Sequence, residues 1–229
     1  VDQLFFRTNN STVDIDLAFN YDHYRDFLDF INKVEMVADI KSARLDMKDI
    51  GYFAEALMKM DNRVKATGQF RGVVSDFTAS EFKFSYGKAT KFYGDVKMVG
   101  LPDVRSTHSE FKINYLYSNK KDLSTFAIPT EDRFIDLPKE LISLGDFKLE
   151  GNFAGVYNDF NSEAQLSTDL GNVNGNLTVR ADTVTVSYDG YLATDMFDLG
   201  TFLNFDELGT INLDAEINGR GIAAEDIDI

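Results

Sequence analysis

The sequence predicts an all-β, mainly antiparallel protein with a few short helices. Three observations predict it: alternation of apolar and polar residues, short turn signals between the alternating runs, and few helix-like patches. The alternation is clearest from Val173 to Ala181, where odd positions are apolar or small and even positions are polar. A period of two is typical of a strand with one dry and one wet face. Roughly a dozen such strands are expected.

The same alternation recurs along most of the chain, in the runs 13–19, 82–86, 92–98, 111–117, 184–188 and 211–217. Turn signals at Gly87 and at Asp189-Gly190 favour antiparallel hairpins, and therefore an up-and-down meander. The helix-like patches cover only residues 24–33, 51–60, 138–144 and 199–208. Weak periodicity and Pro129 predict that the longest connection runs from Ser118 to Asp136.

An internal repeat divides the chain. Residues 68–77 read Gly-Gln-Phe-Arg-Gly-Val-Val-Ser-Asp-Phe, and residues 151–160 read Gly-Asn-Phe-Ala-Gly-Val-Tyr-Asn-Asp-Phe. A looser third copy begins at Asp198. We therefore expect one unit over residues 1–229, with blocks at about 49–117, 136–194 and 198–229, the last one truncated. Because each block adds strands to its neighbour, the sheet is predicted to be elongated, and the chain is interpreted as part of a longer protein.

Glycines recur at small-residue positions of the predicted dry faces, at Gly68, Gly72, Gly151, Gly155 and Gly219. Glycine inside a strand either marks a bulge or sharp twist, or leaves room for another group to approach the backbone. Both interpretations remain open from the sequence.

Composition excludes several classes of function. The net charge of −15 repels phosphate backbones and argues against nucleic-acid binding. Cysteine is absent and His23 and His108 are the only histidines, so thiolate and histidine-rich metal sites are not expected. Alternating carboxylates such as Asp14 and Asp16, like Asp206/Glu207 and Asp226/Asp228, are interpreted as solvated strand faces and not as calcium ligands. No catalytic motif is present, and the chain is predicted to be a non-enzyme without cofactors.

The block from Phe197 to Gly219, together with its two earlier copies, resembles the AsmA-like superfamily and within it the TamB-type translocation and assembly module proteins of Bacteroidetes. The likeness covers about 49–77, 136–160 and 198–229. The resemblance implies a β-sheet curved lengthwise into a groove with an apolar concave face. It also implies a periplasmic location, in a longer protein anchored in the inner membrane of a Gram-negative bacterium, with roles in phospholipid transport and outer-membrane protein assembly. Assembly partners would bind through other parts of that protein.

The dry faces carry most of the 20 phenylalanines. Such faces form either the core of a closed β-sandwich or the floor of an open lipid groove, and the sequence does not decide between them. The expected floor residues are Phe70, Phe82, Phe84, Phe92, Val96, Met98, Phe111, Ile113, Phe153, Leu177, Val179, Val184, Val186, Ile211 and Leu213.

Three functions compete at this point. The first is a conduit that binds phospholipid or another acyl-chain lipid, or an assembly scaffold of the envelope. The second is an extracellular, adhesin-like β-sandwich that binds protein or glycan, with Tyr21, Tyr24, Tyr115 and Tyr117 as contact residues. The third and least favoured is a hydrolase with a carboxylate pair, because no acid/base spacing can be inferred without a fold.

Overall fold

The computed structural model describes residues 3–50, 62–126, 134, 137, 139–182, 185–205 and 207–221. Fourteen strands lie in this part of the chain: β1 (Leu4–Arg7), β2 (Thr12–Asn20), β3 (Glu35–Asp46), β4 (Arg63–Val73), β5 (Asp76–Tyr86), β6 (Thr90–Val99), β7 (His108–Asn119), β8 (Asp146–Val156), β9 (Asp159–Thr168), β10 (Gly171–Ala181), β11 (Val186–Asp195), β12 (Phe197–Asp198), β13 (Thr210–Ile211) and β14 (Asp214–Arg220).

Twelve of these strands form one open antiparallel sheet in the order β1 to β11 followed by β14. The predicted meander is therefore confirmed. Strands β12 and β13 pair with each other in a separate two-stranded sheet. Ile211 belongs to that small sheet, so the predicted alternating run 211–217 does not form one strand of the main sheet.

Five short α-helices and one 3-10 helix interrupt the strands. They are the 3-10 helix Tyr24–Asp29, α1 (Phe30–Lys33), α2 (Met47–Ile50), α3 (Lys120–Leu123), α4 (Lys139–Ser143) and α5 (Leu199–Leu203). Three of the predicted patches thus contain helix, and patch 51–60 lies outside the described residues. The patch expected to reach residue 208 ends early, because Asn204 adopts a left-handed φ of 53° that stops the helix.

Helix-bearing connections recur after β3, β7 and β11, all at the same end of the strands. The 3-10 helix and α1 join β2 to β3 at the opposite end. The long connection predicted from Ser118 to Asp136 does separate two strands, since β7 ends at Asn119 and β8 begins at Asp146, and α3 lies in its first part. The turn signal at Asp189-Gly190 lies inside β11, where Asp189 pairs with Thr178 of β10.

Register shifts occur in every strand pair from β2/β3 to β7/β8, and none is present from β8/β9 onward. In β5 the extra residue lies at Ser80-Glu81, where Glu81 has a φ of 49°. Residues five positions apart in a regular strand project to opposite faces. Because the β-bulge adds one residue, Phe77 and Phe82 project to the same face.

The bulge in β7 corrects one predicted alternation. Ile113 pairs with Gly151, but the next aligned residue is Leu116, which pairs with Leu149. Tyr115 and Tyr117 therefore turn to the polar face, where Tyr117 pairs with Lys148. The unbroken run predicted over 111–117 is wrong in its second half, because the extra residue reverses the facing of every residue after it.

Equivalent glycines in the two clear repeats share an unusual backbone. Gly72 has a φ of 127° and Gly155 a φ of 146°. A Cβ at Gly72 would lie 2.2 Å from the carbonyl oxygen of Asp76, and one at Gly155 would lie 2.3 Å from that of Asp159. The neighbouring strand therefore occupies the space next to both glycines, and no other group can approach their backbone from that side.

The sheet is not closed into a sandwich, and that alternative is wrong for the described residues. Only ten apolar residues are buried in this part of the chain. The accessible surface of the chain is 14627 Å², whereas a compact monomer of its mass exposes about 10,500 Å². Most of the apolar face therefore has no second protein layer above it.

Candidate functional site

One face of the main sheet is apolar across almost its whole width. Directly opposed residues of an antiparallel pair project to the same face, so the register identifies one continuous row across the sheet. From β2 to β14 this row consists of Leu17, Ala38, Phe70, Ala79, Val96, Phe111, Phe153, Ser162, Leu177, Gly190 and Ile217. It contains no charged side chain.

The neighbouring row projects to the other face and is mostly polar. It consists of Ala18, Val37, Arg71, Thr78, Lys97, Glu110, Ala154, Asn161, Thr178, Asp189 and Asn218. We call the two sides of the sheet the apolar face and the polar face, as defined by these two rows.

The apolar face is shielded only in part. Val96 is 7% exposed, whereas Phe70, Phe153 and Leu177 are half-buried. Side chains sealed between two packed sheets would be buried along the whole row. The apolar face is therefore a broad surface that still contacts solvent.

Twelve of the predicted floor residues lie on the apolar face. They are Phe70, Phe82, Phe84, Phe92, Val96, Met98, Phe111, Ile113, Phe153, Leu177, Val179 and Val186. Leu213 precedes β14, and its carbonyl oxygen accepts the backbone N–H of Thr194 at 2.8 Å while its own N–H donates to Thr194 Oγ1 at 2.9 Å. Val184 lies outside the described residues.

Aromatic pairs repeat with the sequence on this face. Phe70 stacks on Phe77 with ring centroids 4.6 Å apart, and Phe153 lies 4.8 Å from Phe160 in the second copy. Phe77 and Phe160 were not among the predicted floor residues, although both belong to the repeat. The apolar row also contains Leu17 and Ile217, which belong to the predicted alternating runs 13–19 and 211–217 but were not among the predicted floor residues.

Helical segments cover one end of the apolar face. Met47 of α2 packs with Val64 and Tyr86 in a buried cluster, and the ring of Phe126, after α3, lies 5.2 Å from the Tyr86 ring. At the far side of the sheet, buried Phe197 contacts Phe202 of α5 at 5.5 Å. The apolar side chains at the strand ends near α2, α3 and α5 are therefore covered by these segments.

A buried carboxylate holds part of this covered end. Asp122 accepts the backbone N–H of Lys88, Ala89 and Thr90, at 2.7 Å for Ala89 and 2.8 Å for Thr90. Burial on its own raises the pKa of Asp122, but these donors outweigh it and lower the pKa below its ordinary value. Asp122 thereby fixes the β5–β6 turn against α3.

The polar face carries open concavities lined mainly by its own side chains. One, of ≈ 620 Å³, is lined by residues that include Lys112, Glu163, Asn174 and Tyr191. The side-chain amides of Asn152, Gln165 and Asn174 also line this concavity, where they are exposed.

Carboxylates and histidines do not assemble into a metal site in the described part of the chain. Lys41 Nζ lies 2.8 Å from Asp16, so a lysine already neutralises that carboxylate. His23 is exposed, and His108 lies 3.8 Å from Glu110. Asp206, Asp226 and Asp228 are outside the described residues.

Comparisons with protein-family models, with curated proteins and with solved structures find no match to this chain. Among the described residues, no helix has the length and apolar character needed to cross a lipid bilayer.

Proposed function

We propose that this chain is a non-enzymatic segment of a cell-envelope protein, in which the apolar face of the main sheet binds the acyl chains of phospholipids during their transport. The observation that carries the proposal is the uncharged row from Leu17 to Ile217, which crosses eleven strands and is only half-buried. An apolar surface of this extent is typical of a site that binds another apolar molecule.

The dimensions of the sheet suit an acyl-chain conduit. Twelve strands define eleven spacings of about 4.8 Å, so the apolar face is roughly 53 Å long across the strands. We propose that the sheet curves lengthwise, with this face as the floor of a groove that runs across the strands. Helices at one end of the strands would form one wall.

Small residues within the floor support the same function. Leu177 is opposed by Ser162 on β9 and Gly190 on β11, so neighbouring side chains leave space around it. The repeat of glycines and phenylalanines extends this design along the sheet. The polar face, and the charge of −15, keep the outer surface hydrated.

The resemblance to TamB-type proteins supports a periplasmic location, in a longer protein anchored in the inner membrane of a Gram-negative bacterium. It also implies a role in outer-membrane protein assembly, through parts of that protein other than this chain. The recurrence of helix-bearing connections after β3, β7 and β11 is in keeping with growth by repeats.

Lipid extraction tests the proposal. The protein is purified without detergent, extracted with organic solvent and analysed by mass spectrometry. We expect co-purified phospholipid or fatty acid, and less of it in Leu177→Asp. The matched control is Asn176→Asp, which adds the same charge on the polar face and retains the acceptor for the Tyr191 N–H. A lipid-free parent protein would contradict the proposal.

A second candidate is glycan binding on the polar face. The concavity near Asn174 and Tyr191 supports it, because the exposed amides that line it can donate to and accept from a hydroxyl-rich ligand. Glycan-array binding by a lipid-free protein, abolished by Asn174→Leu, would favour this candidate over the lipid conduit.

A further inference from the structure

An exposed apolar surface lies at the end of the sheet opposite to the covered end. The segment between β2 and β3 presents Tyr21, Tyr24, Phe27, Leu28 and Ile31, all of them exposed. Leu28 is 90% exposed and Tyr24 is 77% exposed. We call these five residues the aromatic tip.

The aromatic tip is held in place by internal packing. The Phe27 ring lies 4.9 Å from the Tyr21 ring, and the buried Val34 lies directly after α1. The carbonyl oxygen of Ile31 accepts the backbone N–H of Ser75, in the β4–β5 turn, at 3.0 Å. Its apolar side chains are therefore presented on a fixed base and are not exposed by fraying of a chain end.

The aromatic tip is continuous with the apolar face. Phe19 is the last apolar-face residue of β2, and its ring lies 6.0 Å from Phe27 and 5.8 Å from Phe30. The rings of Phe19, Phe27 and Phe30 therefore join the apolar face to the aromatic tip.

The charges of the segment indicate which surface it fits. Residues 21–33 contain three aspartates against Arg25 and Lys33, so the segment is nearly neutral in a chain of net charge −15. The Asp26 carboxylate is held within the segment, since it accepts the backbone N–H of His23 at 2.8 Å. An anionic surface would repel the chain, whereas a zwitterionic phospholipid surface has no net charge and accepts Tyr and Leu at its interface.

We propose that the aromatic tip inserts into the interface of a zwitterionic phospholipid bilayer and there connects the bilayer to the apolar face. The proposal rests on the proposed function for its biological role, but the docking itself is a separate property. Tyr21 and Tyr24 would lie at the level of the headgroups, and Leu28 and Ile31 would reach the acyl boundary.

Co-sedimentation with phosphatidylcholine vesicles tests the docking. Loss of one fully exposed leucine from the interface should weaken association about tenfold, so we expect this loss for Leu28→Ser and a comparable one for Tyr24→Ser. Met196→Ser is the matched control, because Met196 is 64% exposed at the opposite ends of the strands. The control should bind vesicles like the parent, and vesicles containing phosphatidylglycerol should not bind better.

Three results would overturn the docking: no association of the parent protein, equal loss in Met196→Ser, or a change of oligomeric state in Leu28→Ser that accounts for the loss. Lipid counts on the same samples separate the two proposals. If the protein binds vesicles through Leu28 but contains no bound lipid, the conduit is refuted and the docking stands. If the protein contains bound lipid and Leu28→Ser still binds vesicles fully, the docking is refuted and the conduit stands.

Discussion

Asparagine substitutions at two positions of the apolar row should differ strongly in their effect on stability. Val96 is 7% exposed and lies between Ala79 of β5 and Phe111 of β7. Leu177 is half-buried between Ser162 and Gly190. The two sites therefore test how well the apolar face is covered at different places along one row.

The magnitudes follow from this difference in burial. Val96→Asn loses nearly all of its apolar burial and leaves an amide unsatisfied, for a total of about 3–4 kcal/mol. Leu177→Asn loses part of a leucine's burial and its amide reaches water, for a cost of about 1.5 kcal/mol. In a chain of this size, these costs lower the melting temperature by roughly 10 °C and 4 °C.

Urea unfolding followed by circular dichroism measures both free energies, and thermal melts give the temperatures. Lys97→Asn is the control, because Lys97 is the exposed neighbour of Val96 on the polar face. It should change stability by less than about 0.5 kcal/mol. If Leu177→Asn is as damaging as Val96→Asn, the apolar face is sealed and the open-face interpretation is refuted.

Three further predictions concern the parts that hold the sheet. Asp122→Ala should lower the free energy of unfolding by about 3 kcal/mol, because the buried N–H of Thr90 and the part-buried N–H groups of Lys88 and Ala89 lose their acceptor, whereas substitution of the exposed Asp103 by Ala should cost far less. Because the folded-state pKa of Asp122 is lowered, the parent protein should be more stable than Asp122→Asn above about pH 4. This difference in the free energy of unfolding should disappear as pH falls further, and acid titration of unfolding measures it. Gly155→Ala should lower the free energy of unfolding by more than about 2 kcal/mol, because Gly155 has a φ of 146° and the new Cβ would lie close to the Asp159 carbonyl oxygen. The control is Gly209→Ala, which has no atom within 4 Å of the new Cβ and should be near neutral in thermal melts.

The sequence was sufficient for the strands and for most of the apolar face. A period of two assigns a face to each residue as long as the strand is regular, and β8 to β11 are regular. This is why Phe153, Leu177 and Val179 could be placed without a structure. The repeat predicts matching hairpins, and it also contains Phe77 and Phe160, which lie on the apolar face but were not among the predicted floor residues.

Bulges and strand breaks could not be predicted. Glu81 gives no signal for its φ of 49°, since glutamate is not typical of that conformation. Ile211 leaves the run 211–217 because Asn212 turns its side chain to the backbone N–H of Met196 at 2.7 Å. Asp189-Gly190 has the composition of a turn, but pairing with β10 on one side and β14 on the other keeps it in a strand. Tertiary context outweighs local preference at all three places.

Photo-crosslinking with a phospholipid that carries a photoreactive group at the end of one acyl chain tests the central claim most directly. The delipidated protein is loaded, irradiated and digested, and adducts are mapped by mass spectrometry. We predict adducts on the apolar face, at residues such as Phe153, Leu177 and Val179, with none at Asn176 or Arg180, which flank Leu177 and Val179 on the polar face. Adducts on the polar face, or specific loading without any adduct on the apolar face, would contradict acyl-chain binding by this sheet.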